Sequence, residues 1–272
     1  MILDTIAKAS RIRVEKAKLQ LPLQNLKSII YDGAGARSFH GRNAFAFERA
    51  LKKYIKTAPG NEISFICEVK KASPSKGIIA EDFPYLQIAK EYERAGAAAI
   101  SVLTEPEFFK GSSEYLTEIS SNVSIPVLRK DFTVDEYQIY EAKAIGADAV
   151  LLICALLDTQ TIKKYLSVCN ELGLSALVEA HTEDELKSAI TAGARVIGVN
   201  NRNLQTFEVN IDNSIRLRKL VPKDIIFVAE SGIKTAEDMA LLKEAGVDGV
   251  LIGETLMRST NKKEQLNALR GK

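Results

Sequence analysis

From residue 63 onward, short apolar or β-branched runs alternate with segments whose apolar positions recur at helical spacing. The runs at 63–69, 98–103, 125–128, 149–153, 175–178, 196–199, 225–229 and 249–252 are eight strand candidates. Helical periodicity occupies 84–95, 134–145, 159–172, 182–192 and 235–245, and each of these five segments is followed by glycine: Gly96, Gly146, Gly173, Gly193 and Gly246. A glycine just past a periodic segment supplies the left-handed residue that ends a helix. The glycines are spaced by 50, 27, 20 and 53 residues, which reads as two, one, one and two units of roughly 25 residues.

Strands that are apolar throughout must be covered on both faces, and eight βα units in a row point to a parallel barrel. The expected architecture is therefore α/β, a (βα)8 TIM barrel over 61–272 with an N-terminal helical extension over 1–60, all one domain. The extension reads as two helical pieces, 4–18 and 44–56, around a glycine-rich joint at 32–41. An open doubly wound sheet is the competing architecture. The strand count argues against it, and no Gly-x-Gly-x-x-Gly follows the first strand to give the dinucleotide-binding version.

Composition narrows the function. With 37 Lys and Arg against 35 Asp and Glu over 272 residues, no basic stripe exists to track a phosphate backbone, so nucleic acid is not an expected partner. The apolar stretch 149–157 is about half of a membrane span and the N-terminus is charged where a signal peptide is apolar. A cytoplasmic, unprocessed chain without membrane contact is the expectation. Cys67, Cys154 and Cys169 lack Cys-x-x-Cys spacing and read as small core residues. With only His40 and His181 present, a histidine-rich metal site is excluded, and nothing suggests a His-based triad or a bound metal.

Reacting groups in such a barrel sit where the strands end. There the sequence places Glu68-Val69-Lys70, Arg129-Lys130-Asp131, Glu179, Asn200-Asn201-Arg202, Glu230-Ser231-Gly232 and Gly253-Glu254. Glu68 and Lys70 are two apart and so share one side of a strand. Alone they could be a self-satisfied ion pair; with Lys130, Glu179, Asn200 and Glu230 from other strands, a purely structural explanation weakens. Partial desolvation after an apolar strand is expected to lower the pKa of Lys130. The turns at Ser231-Gly232 and Gly253-Glu254 close the last two strands, where exposed backbone N–H groups commonly cradle phosphate. The segment 73–77, Ser-Pro-Ser-Lys-Gly, suits a mobile covering loop. Phe108, Phe109 and Phe132 lie just past strands, where aromatics can wall a planar ring or simply pack under a loop.

These motifs together resemble the indole-3-glycerol phosphate synthase family of tryptophan biosynthesis. The resemblance rests on Cys67-Glu68-Val69-Lys70-Lys71-Ala72-Ser73-Pro74-Ser75, Ser101-Val102-Leu103-Thr104-Glu105 running to Phe109-Lys110-Gly111-Ser112, and Pro126-Val127-Leu128-Arg129-Lys130-Asp131-Phe132. It continues through Leu151-Leu152-Ile153, Leu177-Val178-Glu179, the stretch from Gly198 to Leu204, Ala229-Glu230-Ser231-Gly232-Ile233 and the stretch from Leu251 to Arg258. Residues Ile2 to Ile6 and Phe45 to Leu51 look, more loosely, like the family's extra helices at the substrate mouth.

The resemblance implies a carboxy-lyase that closes the ring of 1-(2-carboxyphenylamino)-1-deoxyribulose 5-phosphate with loss of carbon dioxide and water. It implies no metal or organic cofactor and a phosphorylated small-molecule substrate; a monomer is the expectation for the chain. By the same resemblance Lys130 is the acid for condensation and Glu179 the base for dehydration. Glu68, Lys70, Asn200 and Ser231 belong to the catalytic set; Ser73, Ser231, Gly232, Gly253 and Glu254 hold the phosphate. Arg202 meets the substrate carboxylate, and Phe109, Phe132, Leu151, Ile153 and Leu204 wall the ring. Which lysine serves the dehydration stays open. Glu254 stands where many relatives carry Ser, so its carboxylate is expected to turn away and leave a main-chain contact. Two other functions remain in view: another phosphate-binding barrel enzyme, such as phosphoribosylanthranilate isomerase with a Cys/Asp pair, and a non-catalytic phospho-ligand-binding barrel.

Overall fold

The computed structural model describes residues 2–31, 42–57, 62–203 and 206–272; the expected joint at 32–41 and Leu204 lie outside the described residues. The first barrel strand, β1 (Ser64–Val69), is followed by a two-stranded hairpin, β2 (Ala72–Ser73) and β3 (Gly77–Ile78). The remaining barrel strands are β4 (Ala99–Leu103), β5 (Val127–Lys130), β6 (Ala149–Ile153), β7 (Ser175–Ala180), β8 (Val196–Asn200), β9 (Ile226–Glu230) and β10 (Gly249–Ile252). All eight run parallel, and β1 pairs with both β4 and β10, so the barrel is closed. The segment 73–77 is thus largely a short hairpin rather than an open loop, because Gly77 at φ 63° lets the chain reverse onto Ala72.

Every predicted run overlaps a strand, but four of the eight strands extend past the predicted C-terminal end. Arg129, Lys130, Glu179, Asn200 and Glu230 are strand residues and not the residues after a strand. The apolar criterion stopped too early because these side chains are polar while their backbones still pair, as in Leu103 with Lys130, Ile153 with Glu179 and Asn200 with Glu230.

Helices α4 (Tyr85–Arg94), α5 (Ser113–Ser120), α6 (Tyr137–Ala144), α7 (Thr159–Leu172), α8 (Glu183–Ala192), α9 (Asp212–Arg218) and α10 (Ala236–Glu244) connect successive barrel strands, and α11 (Glu254–Arg258) and α12 (Lys262–Leu269) follow β10. Their starts are written locally. Asp158, Thr182 and Thr235 cap α7, α8 and α10 through side-chain oxygens, each cap contributing on the order of 1 kcal/mol. The five predicted helix-ending glycines all take left-handed φ values.

The chain before β1 forms three described helices, α1 (Ile2–Gln20), α2 (Leu23–Tyr31) and α3 (Ala46–Thr57), where two pieces were expected. Pro22 interrupts the first run and then suits the entry to α2. Helix α3 closes the bottom of the barrel. Its Phe47 and Leu51 pack with the inward layer of Ile66, Leu128, Leu177 and Val228, while Phe65, Cys67 and Val69 alternate outward to face the helices. Helix α1 lies at the other end, tied to the end of β5 by Arg13 to Asp131 at 2.6 Å and by Lys18 to Asp135 at 2.7 Å.

Candidate active site

The strand C-termini open into a cavity of about 640 Å³. Glu68, Lys70, Lys130, Glu179, Asn200, Glu230, Ser231, Gly232, Gly253 and Glu254 line it, as do Ser73, Phe109, Phe132, Leu151, Ile153 and Arg202. Every sequence-predicted site residue within the described residues therefore meets in one space. Ile2, Leu3 and Ile6 of α1 supply part of its rim, in line with the expected role of the extension. Cys67 is not among the lining residues; it is fully buried against the helices with its thiol pushed up by burial. The Cys/Asp isomerase pair is accordingly absent, although Asp131 borders the cavity.

The ionic centre is crowded. Lys70 Nζ lies 2.5 Å from Glu68 Oε1. Lys130 Nζ is 3.5 Å from Glu179 Oε2 and 3.8 Å from Glu230 Oε2. Asn200 donates its amide N–H to Glu179 Oε1 at 3.3 Å. Among the described residues Glu179 Oε2 and Glu230 Oε1 are buried without a hydrogen-bond partner, an expensive state that functional sites tolerate.

Burial works against the Lys130 ammonium, but the carboxylates of Glu179, Glu230 and Glu68 outweigh it, and its pKa stands above the ordinary lysine value. The expectation of a lowered pKa is therefore corrected: the sequence showed the apolar strand but not the three carboxylates that converge on the ammonium. Burial also disfavours the Glu179 carboxylate, yet Lys130 and then His181 hold it below the usual range. Glu230 goes the other way. Burial, reinforced by Glu179, keeps its carboxyl well above the usual range despite Lys130. The site thus holds a charged lysine, an ionised carboxylate and a carboxyl inclined to keep its proton, three groups of different proton affinity within reach of one another.

Two glycines make room for these groups. A Cβ on Gly198 would fall 2.1 Å from Glu230 Oε1, and one on Gly253 would fall 2.4 Å from Glu68 Oε1. Ser231, at φ 66°, and Gly232, at φ 85°, are consecutive left-handed residues closing β9. For Ser231 this conformation stores on the order of 1–3 kcal/mol of strain, and Asn201 steadies it by donating to the Ser231 carbonyl at 3.1 Å. The Glu254 carboxylate is engaged by Arg258 at 3.1 Å and Lys76 at 3.8 Å. On the apolar side the Phe109 and Phe132 rings lie 5.9 Å apart, tilted by 39°, beside Leu151 and Ile153. Arg202 has its backbone N–H bonded to Asn200 Oδ1 and its guanidinium bonded to the Phe207 carbonyl.

Sequence reasoning gave no role to Glu230, Asn201 or His181. Glu230 stood among the strand-end charges, and the register that pairs it with Asn200 was its available signal. His181, one residue past β7, had no motif around it; only the fold brings its Nε2 to 3.4 Å from Glu179 Oε1.

The chain matches the family model described as indole-3-glycerol phosphate synthase over residues 3–269. The indole-3-glycerol phosphate synthase of Ruminiclostridium cellulolyticum is 60% identical, covering 100% of this chain and 99% of its own. That of Lachnoclostridium phytofermentans is 53% identical, covering 99% of both. Among solved structures, 3-hexulose-6-phosphate synthase from Salmonella typhimurium superposes with a TM-score of 0.63 at 14% identity, over 77% of this chain and 97% of that one, a likeness of fold alone. With the family model spanning nearly every residue and relatives above half identity aligned end to end, the chain belongs to the indole-3-glycerol phosphate synthase family.

Proposed function

We propose that the barrel mouth carries out the family's reaction, closing 1-(2-carboxyphenylamino)-1-deoxyribulose 5-phosphate to indole-3-glycerol phosphate with loss of carbon dioxide and water. The observation that carries this reading is the Lys130 ammonium, set between Glu179 and Glu230 beside an aromatic slot in the same cavity.

The anthranilate ring enters the slot between Phe109, Phe132, Leu151 and Ile153. The phosphate lies against Ser73, the left-handed turn at Ser231-Gly232 and the backbone at Gly253-Glu254, with Lys76 and Arg258 free to exchange the Glu254 carboxylate for phosphate oxygens. Arg202 and Lys70 face the ring carboxylate. Binding both ends fixes the ketone carbon over the ring carbon, which converts binding energy into orientation.

As the ring carbon attacks, negative charge grows on the ketone oxygen. Lys130 stabilises that charge and gives its proton; a raised pKa keeps the donor fully charged until the far more basic alkoxide forms. Neutral carbon dioxide then leaves and the ring regains aromaticity. Glu179, held ionised, takes the proton lost from carbon as water departs. Glu68 and Asn200 hold the lysine and the carboxylate in place, Glu68 through Lys70 and Asn200 through Glu179. Incubating the protein with the substrate and following indole fluorescence tests this directly; an active-site-competent, folded protein that leaves the substrate unchanged would sink it.

A further inference from the structure

The proposed ring closure leaves a proton account open, and the inference below rests on that reading. The substrate's ring carboxylate is charged, whereas carbon dioxide leaves neutral. Two protons are added to the ketone oxygen before it departs as water, and one is recovered from carbon. Each turnover therefore draws one proton from solvent, while a bound substrate fills the cavity around Lys130 and Glu179.

A second route reaches Glu179 from behind the cavity. Glu185, in the first turn of α8, is partly exposed at 23%. Its Oε2 lies 3.1 Å from His181 Nδ1 and accepts the His181 backbone N–H at 2.7 Å, which fixes the imidazole. The opposite ring nitrogen, Nε2, is buried without a hydrogen-bond partner among the described residues and points at Glu179 Oε1, 3.4 Å away. Glu179 Oε2 in turn faces Lys130 Nζ at 3.5 Å. Neither His181 nor Glu185 lines the cavity, so this file stays open when substrate is bound. The ionisable groups acting on the imidazole are Glu185 from α8, Glu179 from β7 and Lys130 from β5, with the Cys154 thiol near the same two carboxylates. Asn213 anchors the turn by donating to the His181 carbonyl at 3.1 Å.

We propose that Glu185 and His181 form a proton-entry chain that recharges Lys130 through Glu179 once per turnover. After condensation Lys130 is a neutral amine. His181 Nε2 loses its proton to Glu179 as Nδ1 takes one from Glu185, which refills from water. Glu179 passes that proton to Lys130 Nζ and is again a carboxylate, ready for the dehydration. The proton it then takes from carbon restores the donor used in that step; once the product has left the cavity, water returns a proton to His181 Nε2 through Glu179 as Nδ1 gives one back to Glu185, so every acid and base ends as it began. Imidazole flanked by two carboxylates is suited to this task because its two nitrogens exchange roles as a proton passes.

The test uses the full chain, once wild-type protein has been shown to form indole product; absence of that product would fault the ring closure itself and not this chain. His181→Asn keeps an amide to orient Glu179 but cannot relay a proton. It should release the first equivalent of carbon dioxide at the wild-type rate and then turn over at least about tenfold more slowly, with a larger solvent deuterium isotope effect. Imidazole should accelerate His181→Ala in proportion to imidazolium and leave wild type unchanged. Glu185→Gln, a change near the surface, should show the same pattern more weakly. A steady-state rate for His181→Asn within about twofold of wild type, a slowed first release of carbon dioxide, or no rescue of His181→Ala would each overturn the proposal.

Discussion

At the bottom of the barrel, Phe47 and Leu51 of α3 fill the interior, and the buried carboxylate there, Glu48, receives two N–H bonds from Arg195 at 2.9 and 2.8 Å. Ser64 and Ser175 point inward as well, and both hydroxyls are bonded to α3. At the top the same strands carry, at or just past their ends, Glu68, Lys70, Lys130, Glu179 and Glu230, and among the described residues two carboxylate oxygens have no hydrogen-bond partner. One end minimises its free energy; the other keeps interactions unmade until a substrate arrives. Strain at Ser231 and the tight fit around Gly198 fall at the top as well. Stability and chemistry are thus separated along the barrel axis, a separation that mutation can break from either end.

The largest effect is expected from Lys130→Met. Removing the proposed condensation acid should slow indole formation by about 10²- to 10⁴-fold, while far-ultraviolet circular dichroism keeps the wild-type signal. Next comes Phe47→Ala, the same experiment at the opposite end. Emptying that plug should cost about 3–5 kcal/mol of stability in urea titration, with kcat/KM of the folded protein changed by less than about threefold. A large loss of kcat/KM in Phe47→Ala would show that the two ends are not separate.

Gly198→Ala sharpens the comparison, because its new Cβ must displace the Glu230 carboxyl. It should cost roughly 1–3 kcal/mol by overpacking and lower kcat more than it changes KM, read from steady-state kinetics. Smallest is a pH effect at His181. Burial opposes its charge, but Glu185 and Glu179 raise its folded pKa above 6.5. The stabilisation is therefore fully present below about pH 6.5 and is lost as pH rises through the folded value. Melting temperature should fall over that window in wild type and less steeply in His181→Asn.

The sequence made the barrel legible because its strands are continuous apolar runs and its helices end in glycine. It made most of the site legible because strand ends map onto one face. What it hid follows from the same physics. Polar residues that finish strands, such as Lys130 and Glu179, look like loop residues until the ladder is seen. The raised pKa of Lys130 depends on three carboxylates far apart in the chain. The plug at Phe47 and the approach of His181 to Glu179 are tertiary contacts that no local spacing encodes.

The most direct test of a top end built for two proton transfers in order is a single-turnover experiment that times carbon dioxide against indole. Glu179→Gln retains the proposed condensation acid, so carbon dioxide should appear ahead of indole; Lys130→Met should delay both together. Carbon dioxide released at the normal rate by Lys130→Met would contradict the account and move the first proton donation to another group, with Lys70, which follows β1 and lines the same cavity, the first candidate.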